Sequence, residues 1–284
     1  MADGSLEFSY AEPSDPVLKR LAIRGIERLT GQPRLRRMYL DWCETGGAEP
    51  FFEGAIRRLR LRIEHDPGKL AAIPAQGPLV LVANHPFGVL DGLMMGWLVS
   101  QRRERFKILV NSVLYRAPEA REWLLPIDFA ETREALATNL RSRDAALAVI
   151  RAGGAVAIFP GGTVSTAEKP FLPAVDPRWK PFTARIIQAG RATVVPVFFE
   201  GQNSRLFHFA SQISVTLRVS LIFKEVADKI GETCRVRIGD PIAYPALEGF
   251  RDRQMLADHL RELTYALGPD HARGRLMEPL PQAA

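Results

Sequence analysis

PLVLVANHPFGVLDG, residues 78–92, joins an apolar run to a polar turn. The run Leu79–Ala83 contains only apolar residues, which is typical of a strand buried on both faces of a parallel sheet. An Asn-His pair follows it, and an aspartate stands where the next helix is expected to begin. Five residues separate His85 from Asp91, so their side chains meet only if the chain folds back. Gly88 can supply the unusual backbone angles that this needs.

A histidine beside a carboxylate is a common arrangement for proton transfer. Asp91 would hold one imidazole nitrogen and leave the other free to accept a proton, as in the histidine–carboxylate pairs of acyl-transfer enzymes. The alternative is structural: Asp91 is an ordinary helix N-cap and His85 is a buried turn residue. GxSxG is absent, and neither Cys43 nor Cys234 lies in an activating turn, so we expect attack by a substrate hydroxyl or water. The other histidines lack metal-binding spacing, and we expect no metal site.

Strand-like and helix-like patterns alternate from Pro78 onward. The apolar runs predict strands at Leu79–Ala83, Lys107–Val110, Ala155–Phe159, Thr193–Phe199 and Arg235–Ile238. The helical patterns between and after them predict helices at Gly92–Gln101, Thr132–Ala152, Pro181–Ala189 and Arg251–Leu267. Such alternation predicts an α/β fold, in which helices flank a largely parallel central sheet.

The beginning of the chain is basic and helical in pattern. Apolar residues at three-to-four spacing, with arginines between them, occur in Pro16–Leu29, Leu35–Trp42 and Phe51–Ile63. We therefore divide the chain into a helical N-terminal region (1–75), an α/β domain (76–268) and a flexible tail (269–284). The N-terminal helices either cover the main core or place apolar faces in a lipid interface.

Polar clusters follow three of the predicted strands. They are Asn84–Asp91, Phe159–Ser165 and Phe199–Ser204. Ligands of α/β sheets bind outside the carboxyl ends of the strands, so we expect the clusters to converge on one site. The glycines in Gly161-Gly162-Thr163 let a ligand approach the backbone and leave amide groups to face an oxyanion, although the same residues also suit a simple turn.

Taken in order, these segments resemble the glycerolipid acyltransferase family, whose best-known members acylate lysophosphatidic acid. That family has an Asn-His, four residues, then Asp motif, followed by a Phe-Pro-Glu-Gly-Thr-Arg-Ser motif and a Val-Pro-Val strand. The matching segments here begin at Asn84, Phe159 and Val195, and the likeness covers about residues 75–245. NHPFGVLDG, FFEGQNSRLFH and VRIGDPI resemble the haemolysin-like branch more closely. That branch includes acyltransferases of ornithine lipids and tolerates five residues between the histidine and the aspartate.

The resemblance implies an O-acyltransferase in which His85 deprotonates a lysolipid hydroxyl and Asp91 orients His85. The hydroxyl attacks an acyl thioester of coenzyme A or acyl carrier protein, which is a co-substrate, and no further cofactor is expected. The residues expected to bind the substrates are Asn84, Gly88, Phe159, Pro160, Gly161, Gly162, Thr163, Lys180, Gln202, Asn203 and Arg205. Thioester hydrolysis needs the same residues, with water in place of the lipid, and stays open.

Two departures from the family pattern bear on the acceptor. Gly161 and Val164 stand where phosphate-using relatives have Glu and Arg, and Phe129 stands where they have an arginine. An apolar side chain cannot bind phosphate, whereas an arginine guanidinium binds it through paired N–H donors. We therefore expect a lyso-aminolipid of the lyso-ornithine type as acceptor. The alternative acceptor is lysophosphatidic acid. Its phosphate would then be bound from another position by Arg116, Arg133, Lys180 or Arg205.

Charge and hydropathy favour a membrane surface as a partner. The formal net charge of +6 favours anionic partners, and no RNP-like or zinc-finger pattern indicates nucleic acid. No run reaches the roughly 18 apolar residues of a spanning helix, and we expect no secretory signal. The apolar segment Arg205–Phe223 is either core or a wall for an acyl chain. We expect a cytoplasmic protein, peripheral on the inner face of the bacterial plasma membrane, with a non-enzymatic lipid-binding protein as the alternative.

Overall fold

The computed structural model describes residues 9, 11, 15–44, 49–111, 118–128, 132–167 and 172–270. The helices are α1 (Val17–Leu29), α2 (Gln32–Glu44), α3 (Phe51–Arg58), α4 (Pro67–Ala72), α5 (Val89–Ser100), α6 (Arg133–Arg151), α7 (Phe182–Gly190), α8 (Arg205–Ile213), α9 (Val215–Ser220), α10 (Ile222–Asp228), α11 (Tyr244–Leu247) and α12 (Arg253–Ala266). The strands are β1 (Arg62–Glu64), β2 (Leu79–Ala83), β3 (Phe106–Asn111), β4 (Leu124–Ile127), β5 (Ala155–Ile158), β6 (Thr193–Phe199) and β7 (Thr233–Ile238).

The described strands form one sheet in the order β1-β7-β6-β2-β5-β3-β4. Neighbouring strands are parallel except β6 and β7, which are antiparallel. The predicted α/β fold with a largely parallel central sheet is therefore confirmed. Strand β2 pairs with β5 on one side and with β6 on the other, so the loops that follow these three strands leave the same edge of the sheet.

Strand β2 shows why an uninterrupted apolar run becomes a central strand. All five of its residues are buried. Leu79, Leu81 and Ala83 belong to the core on the face covered by α3 and α5, whereas Val80 and Val82 belong to the core formed with α6, α7 and α12. Successive side chains of a strand point to opposite faces, so a strand that is apolar at every position needs cover on both.

The predicted strands and the four predicted helices of the α/β region are confirmed, and no end shifts by more than three residues. Two further strands, β1 and β4, have only three and four residues, too few for a periodic pattern. The helix predicted over Phe51–Ile63 ends at Arg58, because residues 62–64 pair with β7 as an edge strand.

The N-terminal helices cover part of the main core and also leave an apolar face exposed. Leu35 of α2 and Phe52 of α3 belong to the main core. Helix α1 packs on α9 and α2 and buries Ile23 and Glu27. Its other face leaves large apolar side chains exposed: Val17, Leu18, Leu21 and Leu29.

The apolar segment Arg205–Phe223 forms α8, α9 and the start of α10. One part of it is core, since Phe207 and Ile222 are buried in a small cluster. The other part is exposed on α8, at Leu206, Phe209 and Ile213. Helices α1 and α8, which carry the two exposed apolar faces, both pack against α9.

None of the helices in the described ranges is long and apolar enough to cross a membrane. The predicted flexible tail begins at residue 269, and its residues from 271 onward lie outside the described part of the chain.

Candidate active site

The loop between β2 and α5 folds back on itself, as the spacing of its histidine and aspartate requires. Gly88 is the N-cap of α5, with φ 79° and ψ −118°, a conformation that favours glycine. Its N–H and that of Phe87 donate to Oδ2 of Asp91, at 2.9 and 2.8 Å. Asp91 is the third residue of the helix, so its carboxylate caps α5 from inside the first turn rather than as the N-cap.

His85 and Asp91 are in direct contact. Nδ1 of His85 lies 2.9 Å from Oδ2 of Asp91. The ring N–H does not point straight at that oxygen, so the contact is short in distance but bent in angle. The structural alternative does not hold as stated, because Gly88 is the N-cap and His85 is only half-buried. One carboxylate oxygen of Asp91 caps the helix from its third residue and also contacts the imidazole.

The electrostatic setting of Asp91 is unusual for a carboxylate. Asp91 is completely buried, and burial raises the pKa of its carboxyl group above the ordinary value. The contact with His85 and the amides of Phe87 and Gly88 act in the opposite direction. Within the described part of the chain, Oδ1 of Asp91 has no hydrogen-bond partner. A buried carboxylate in this position stabilises an imidazole at the moment when it gains a proton.

A second aspartate, which no sequence motif marks, holds the backbone of His85. Oδ1 of Asp176 accepts the His85 N–H at 3.1 Å and also accepts the hydroxyl of Ser165. Ser165 donates its own N–H to the carbonyl oxygen of His85 at 2.8 Å. Both backbone polar groups of His85 are therefore fixed by the segment that follows β5.

Asp176 is itself held by neighbouring side chains. Its Oδ2 accepts the indole N–H of Trp179 at 2.8 Å. From α12, the Tyr265 hydroxyl oxygen accepts the Asp176 N–H at 2.7 Å, and Arg261 donates to the Asp176 carbonyl oxygen at 2.6 Å. Burial raises the pKa of Tyr265 well above its ordinary value, so the phenol stays neutral. Helix α12, remote in sequence, thus supports the loop that positions His85.

The loop after β5 supplies the wall beside the imidazole. The ring of Phe159 stacks on that of His85, with centroids 4.3 Å apart. The Gly162 N–H donates to the Phe159 carbonyl oxygen at 3.0 Å and closes a turn. Across the described ranges, the N–H groups of Gly161 and Thr163 make no hydrogen bond. One amide therefore closes the turn, and two amides remain available to a ligand oxygen.

These groups line one cleft of about 950 Å³. The predicted site residues that line it are His85, Gly88, Phe159, Pro160, Gly161, Gly162, Thr163 and Lys180. Apolar side chains from α1, α5, α8 and α10 complete part of its wall: Ile23, Val89, Phe207 and Ile222. The cleft thus joins a polar centre to apolar surface, which is what a ligand with a polar head and a hydrocarbon chain requires.

Asn84 has a structural position. Its side-chain amide donates to the Phe199 carbonyl oxygen at 2.9 Å and accepts the Phe199 N–H at 2.7 Å. Asn84 is buried and does not line the cleft. It ties the ends of β2 and β6 together, and so fixes the point from which the His85 loop departs.

The cluster after β6 does not join the site. Gln202, Asn203 and Arg205 lie outside the lining of the cleft, although we predicted contact with the substrate. The reason is the path of the chain, which enters α8 at this point. The N-cap of α8 is Ser204, whose N–H and hydroxyl both donate to the carboxylate of Glu225 on α10. That anchoring holds Ser204 on α10, and the side-chain oxygen of Gln202 accepts the Ala174 N–H at 2.8 Å.

Neither Ser165 nor either cysteine is activated as a nucleophile. The hydroxyl of Ser165 donates to Asp176 rather than to His85. Burial raises the pKa of the Cys43 and Cys234 thiols, which disfavours the reactive thiolate. No group of three His, Cys, Asp or Glu side chains able to hold a metal ion occurs in the part of the chain that the structure describes.

Comparison with known proteins agrees with the motifs and the fold. An acyltransferase family model matches residues 57–272. A lyso-glycine lipid O-acyltransferase from Phocaeicola vulgatus is 24% identical over 262 residues, which cover 88% of each chain. A lyso-glycine lipid O-acyltransferase from Bacteroides thetaiotaomicron is 25% identical over 228 residues, which cover 76% of this chain and 79% of that protein.

A solved structure shares the fold. It is the crystal structure of the 1-acyl-sn-glycerophosphate (LPA) acyltransferase PlsC from Thermotoga maritima, with a TM-score of 0.50 and 15% sequence identity. The match covers 88% of this chain and 79% of that one. The family match spans more than half of the sequence and includes the His85 loop, the Phe159 loop and β6. The chain therefore belongs to the acyltransferase family, and its resemblance to the glycerolipid acyltransferases is confirmed.

Proposed function

We propose that this protein transfers a fatty acyl group from an acyl thioester to the hydroxyl of a lyso-aminolipid. The observation that carries the proposal is the contact between His85 and Asp91, 2.9 Å apart at the lining of a cleft with apolar walls. Asp91 holds Nδ1, which leaves Nε2 as the ring nitrogen that can meet a substrate proton.

The reaction follows from the roles of these groups. Nε2 of His85 takes the proton of the acceptor hydroxyl as its oxygen attacks the thioester carbonyl carbon. The negative charge that develops on the carbonyl oxygen is met by the amides of Gly161 and Thr163. The tetrahedral intermediate expels the thiolate, which receives the proton from His85, and the products are the acylated lipid and the free thiol. Asp91 stabilises the imidazolium while it exists.

The lyso-aminolipid acceptor is supported by a departure from the family pattern and by the relatives. Val164 lines the cleft where phosphate-using relatives have an arginine. Phe129, which marks the second departure, lies outside the described residues. Both curated relatives are named for a lyso-glycine lipid, an amino-acid lipid without phosphate. An ornithine head group, the one expected from the haemolysin-like branch, belongs to the same chemical class.

Lysophosphatidic acid is the second candidate acceptor. It is favoured by the cation Lys180, which lines the cleft. Arg205 is exposed at the start of α8, away from the cleft lining, and Arg116 lies outside the described residues. Arg133, at the start of α6, does not line the cleft either, so Lys180 is the sequence candidate that does. Three further cations line it: Lys19, Arg178 and Arg218.

The donor is acyl-coenzyme A or acyl carrier protein loaded with an acyl chain. Both acyl chains are insoluble in water, so the protein works at a membrane, peripheral on the inner face of the bacterial plasma membrane. The exposed leucines of α1 and the net charge of +6 support this placement. A non-enzymatic lipid-binding role would leave the contact between His85 and Asp91 without a use.

The test is a transfer assay with the purified protein. Acyl-coenzyme A is supplied with N-(3-hydroxyacyl)glycine, with its ornithine analogue or with lysophosphatidic acid, and products are identified by mass spectrometry. We expect an O-acylated aminolipid as the main product and a loss of about 10²–10⁴-fold in rate for His85→Ala. His259→Ala is the matched control, because His259 stacks on Phe250 and does not line the cleft.

Three results would contradict the proposal. Full activity of His85→Ala refutes the general base, and faster acylation of lysophosphatidic acid overturns the acceptor class. Release of free fatty acid, with no acylated lipid, makes the protein a thioesterase. His85→Ala is also expected to retain lipid binding, since the substitution removes the base and leaves the apolar wall of the cleft intact.

A further inference from the structure

The cleft contains an arginine that the reaction outlined above does not use. Arg218 lies on α9 and lines the cleft. One helical turn further along the chain, Ile222 of α10 reaches the His85 loop: a Cβ on Gly88 would lie 3.9 Å from Cγ2 of Ile222. Arg218 is therefore close to the loop that carries the catalytic pair, and its long side chain can reach a group bound there.

In the described part of the chain the guanidinium of Arg218 has no partner, unlike those of buried Arg103 and exposed Arg178. Arg103 donates to three backbone carbonyl oxygens, and the guanidinium of Arg178 pairs with the Asp258 carboxylate. In the described ranges, the Arg218 guanidinium makes neither a hydrogen bond nor an ion pair. It is nevertheless half-buried, and burial lowers its pKa.

An unpaired guanidinium in a cleft wall is a binding group for an anion. Burying its charge without a partner is unfavourable, so an incoming anion recovers interaction that the folded protein lacks. Two carboxylates line the same cleft, Asp15 and Asp128, and that of Asp15 contacts Lys19 at 2.6 Å. The five N–H donors of a guanidinium match the two oxygens of a carboxylate in a planar fork.

We propose that Arg218 binds the carboxylate of the amino-acid head group of the acceptor. This inference rests on the proposed function, because it concerns how that acceptor is recognised. In an N-acylated amino acid the amine has become a neutral amide, and the carboxylate is the anionic group that remains. Arg218 would hold this carboxylate while the hydroxyl of the N-acyl chain reaches His85.

The same guanidinium could in principle meet a phosphate of the thioester donor. The two sources are distinguished by which Michaelis constant responds. We commit to the acceptor, since Arg218 lies on the wall shared with α1 and Ile222, where the apolar lining suits the lipid chain. Kinetics with each substrate varied separately decide between the two.

The experiment compares Arg218→Gln with Arg178→Gln, a matched control that removes a charge at the same cleft but one already paired with Asp258. The acceptors are N-(3-hydroxyacyl)glycine and its methyl ester, which lacks the negative charge. We expect Arg218→Gln to raise the KM for the free acid by about 10- to 100-fold. The KM for the ester, the KM for acyl-coenzyme A and kcat should stay near those of the parent protein. Arg218→Lys keeps the positive charge but loses the planar pair of N–H donors. Its KM for the free acid should lie between those of the parent protein and Arg218→Gln.

A binding measurement separates failure of this inference from failure of the proposed function. Calorimetry in the His85→Ala background measures affinity for the free acid and the ester, with and without Arg218→Gln. If the parent protein acylates neither compound, the proposed function fails and the calorimetry alone judges Arg218. Equal affinity for the free acid with and without Arg218 overturns the inference, and so does a change confined to the KM for acyl-coenzyme A. Thermal unfolding confirms that the variants are folded, and Arg218→Lys supplies the comparison if Arg218→Gln is not.

Discussion

The carboxylate of Asp91 is completely buried. Its Oδ2 accepts hydrogen bonds from two backbone amides and also contacts Nδ1 of His85. A capping side chain contributes only about 1 kcal/mol to stability, which an uncharged residue could supply as well. Burying a charge is far less favourable than that, even with partial pairing. Helix capping therefore does not explain the aspartate, whereas the proposed role beside the imidazole does.

Replacing Asp91 with asparagine separates its two tasks. In Asp91→Asn the side-chain oxygen can still accept the amides of Phe87 and Gly88 and keep the turn. The same oxygen, in the place of Oδ2, still faces Nδ1 of His85, and the amide nitrogen takes the place of Oδ1. The variant therefore removes the negative charge that stabilises the imidazolium and keeps the turn. We expect kcat to fall by about 10²–10⁴-fold with little change in lipid binding, measured by the transfer assay and by calorimetry. A loss of less than about tenfold would show that the charge of Asp91 does not support the imidazolium.

The same variant should change how stability depends on pH. Because the pKa of Asp91 is raised in the folded protein, the native state binds more protons than the unfolded state above the ordinary value of about 3.9. This contribution to stability is present below that value and is lost as pH rises through the folded-state pKa. Asparagine carries no such proton, so Asp91→Asn should be at least as stable as the parent protein at pH 8, by urea unfolding. A clearly lower midpoint at pH 8 would mean that the ionised carboxylate stabilises the fold.

The loops that follow β2 and β5 are linked by hydrogen bonds to Asp176. Oδ1 of Asp176 accepts the His85 N–H at 3.1 Å. The same carboxylate accepts hydrogen bonds from the Ser165 hydroxyl and the Trp179 indole N–H. These contacts make Asp176 a positioning residue, since it touches the backbone of His85 and not the reacting atoms. Its removal should disturb the alignment of the imidazole more than the shape of the cleft.

We expect Asp176→Asn to lower kcat by about 10- to 100-fold and to leave the KM for both substrates within about twofold, because misplacement of a reacting group costs about that much. Asp258→Asn is the matched control, as Asp258 pairs with Arg178 on the outer side of α12. Steady-state kinetics with each substrate provide the measurement. An increase in KM with unchanged kcat would assign Asp176 to the wall of the cleft instead.

The elements differ in how far the sequence could reveal them. Strand β2 and the His85 turn were predictable, because an apolar run and a fixed spacing are local signals. Strands β1 and β4 were not, since each is too short to show a period. Asp176 lies in an irregular loop, and its role depends on contacts with α12, more than 80 residues away in sequence. Arg218 was missed because its helical pattern looks the same whether or not a carboxylate lies beside it.

The outward face of α1 is apolar and exposed to the surroundings of the molecule. Leu18 is 84% exposed and Leu21 is 62% exposed, while Ile23 on the opposite face lines the cleft. The helix therefore separates the cleft from the surroundings, with apolar side chains on both sides. Exposed Leu206 and Phe209 of α8, across α9, extend this apolar surface. An apolar surface beside the proposed lipid site favours docking on a bilayer, from which the proposed acceptor could enter directly.

Substitution tests this docking better than deletion of the N-terminal region, because removing α1 would also remove a wall of the cleft. We expect Leu18→Asp with Leu21→Asp to reduce sedimentation with anionic liposomes by at least about tenfold, since two leucines leave the interface and two charges face anionic lipid. The matched control is Leu136→Asp with Leu140→Asp, two exposed leucines of α6 that do not line the cleft. Thermal unfolding should be unchanged in both double variants, because all four side chains are exposed.

Transfer to an acceptor embedded in vesicles should fall with the α1 variant, and transfer to a short-chain, water-soluble acceptor should not. Equal sedimentation of the two double variants would exclude α1 as the docking surface, and equal loss with both acceptors would indicate damage to the cleft rather than to membrane contact.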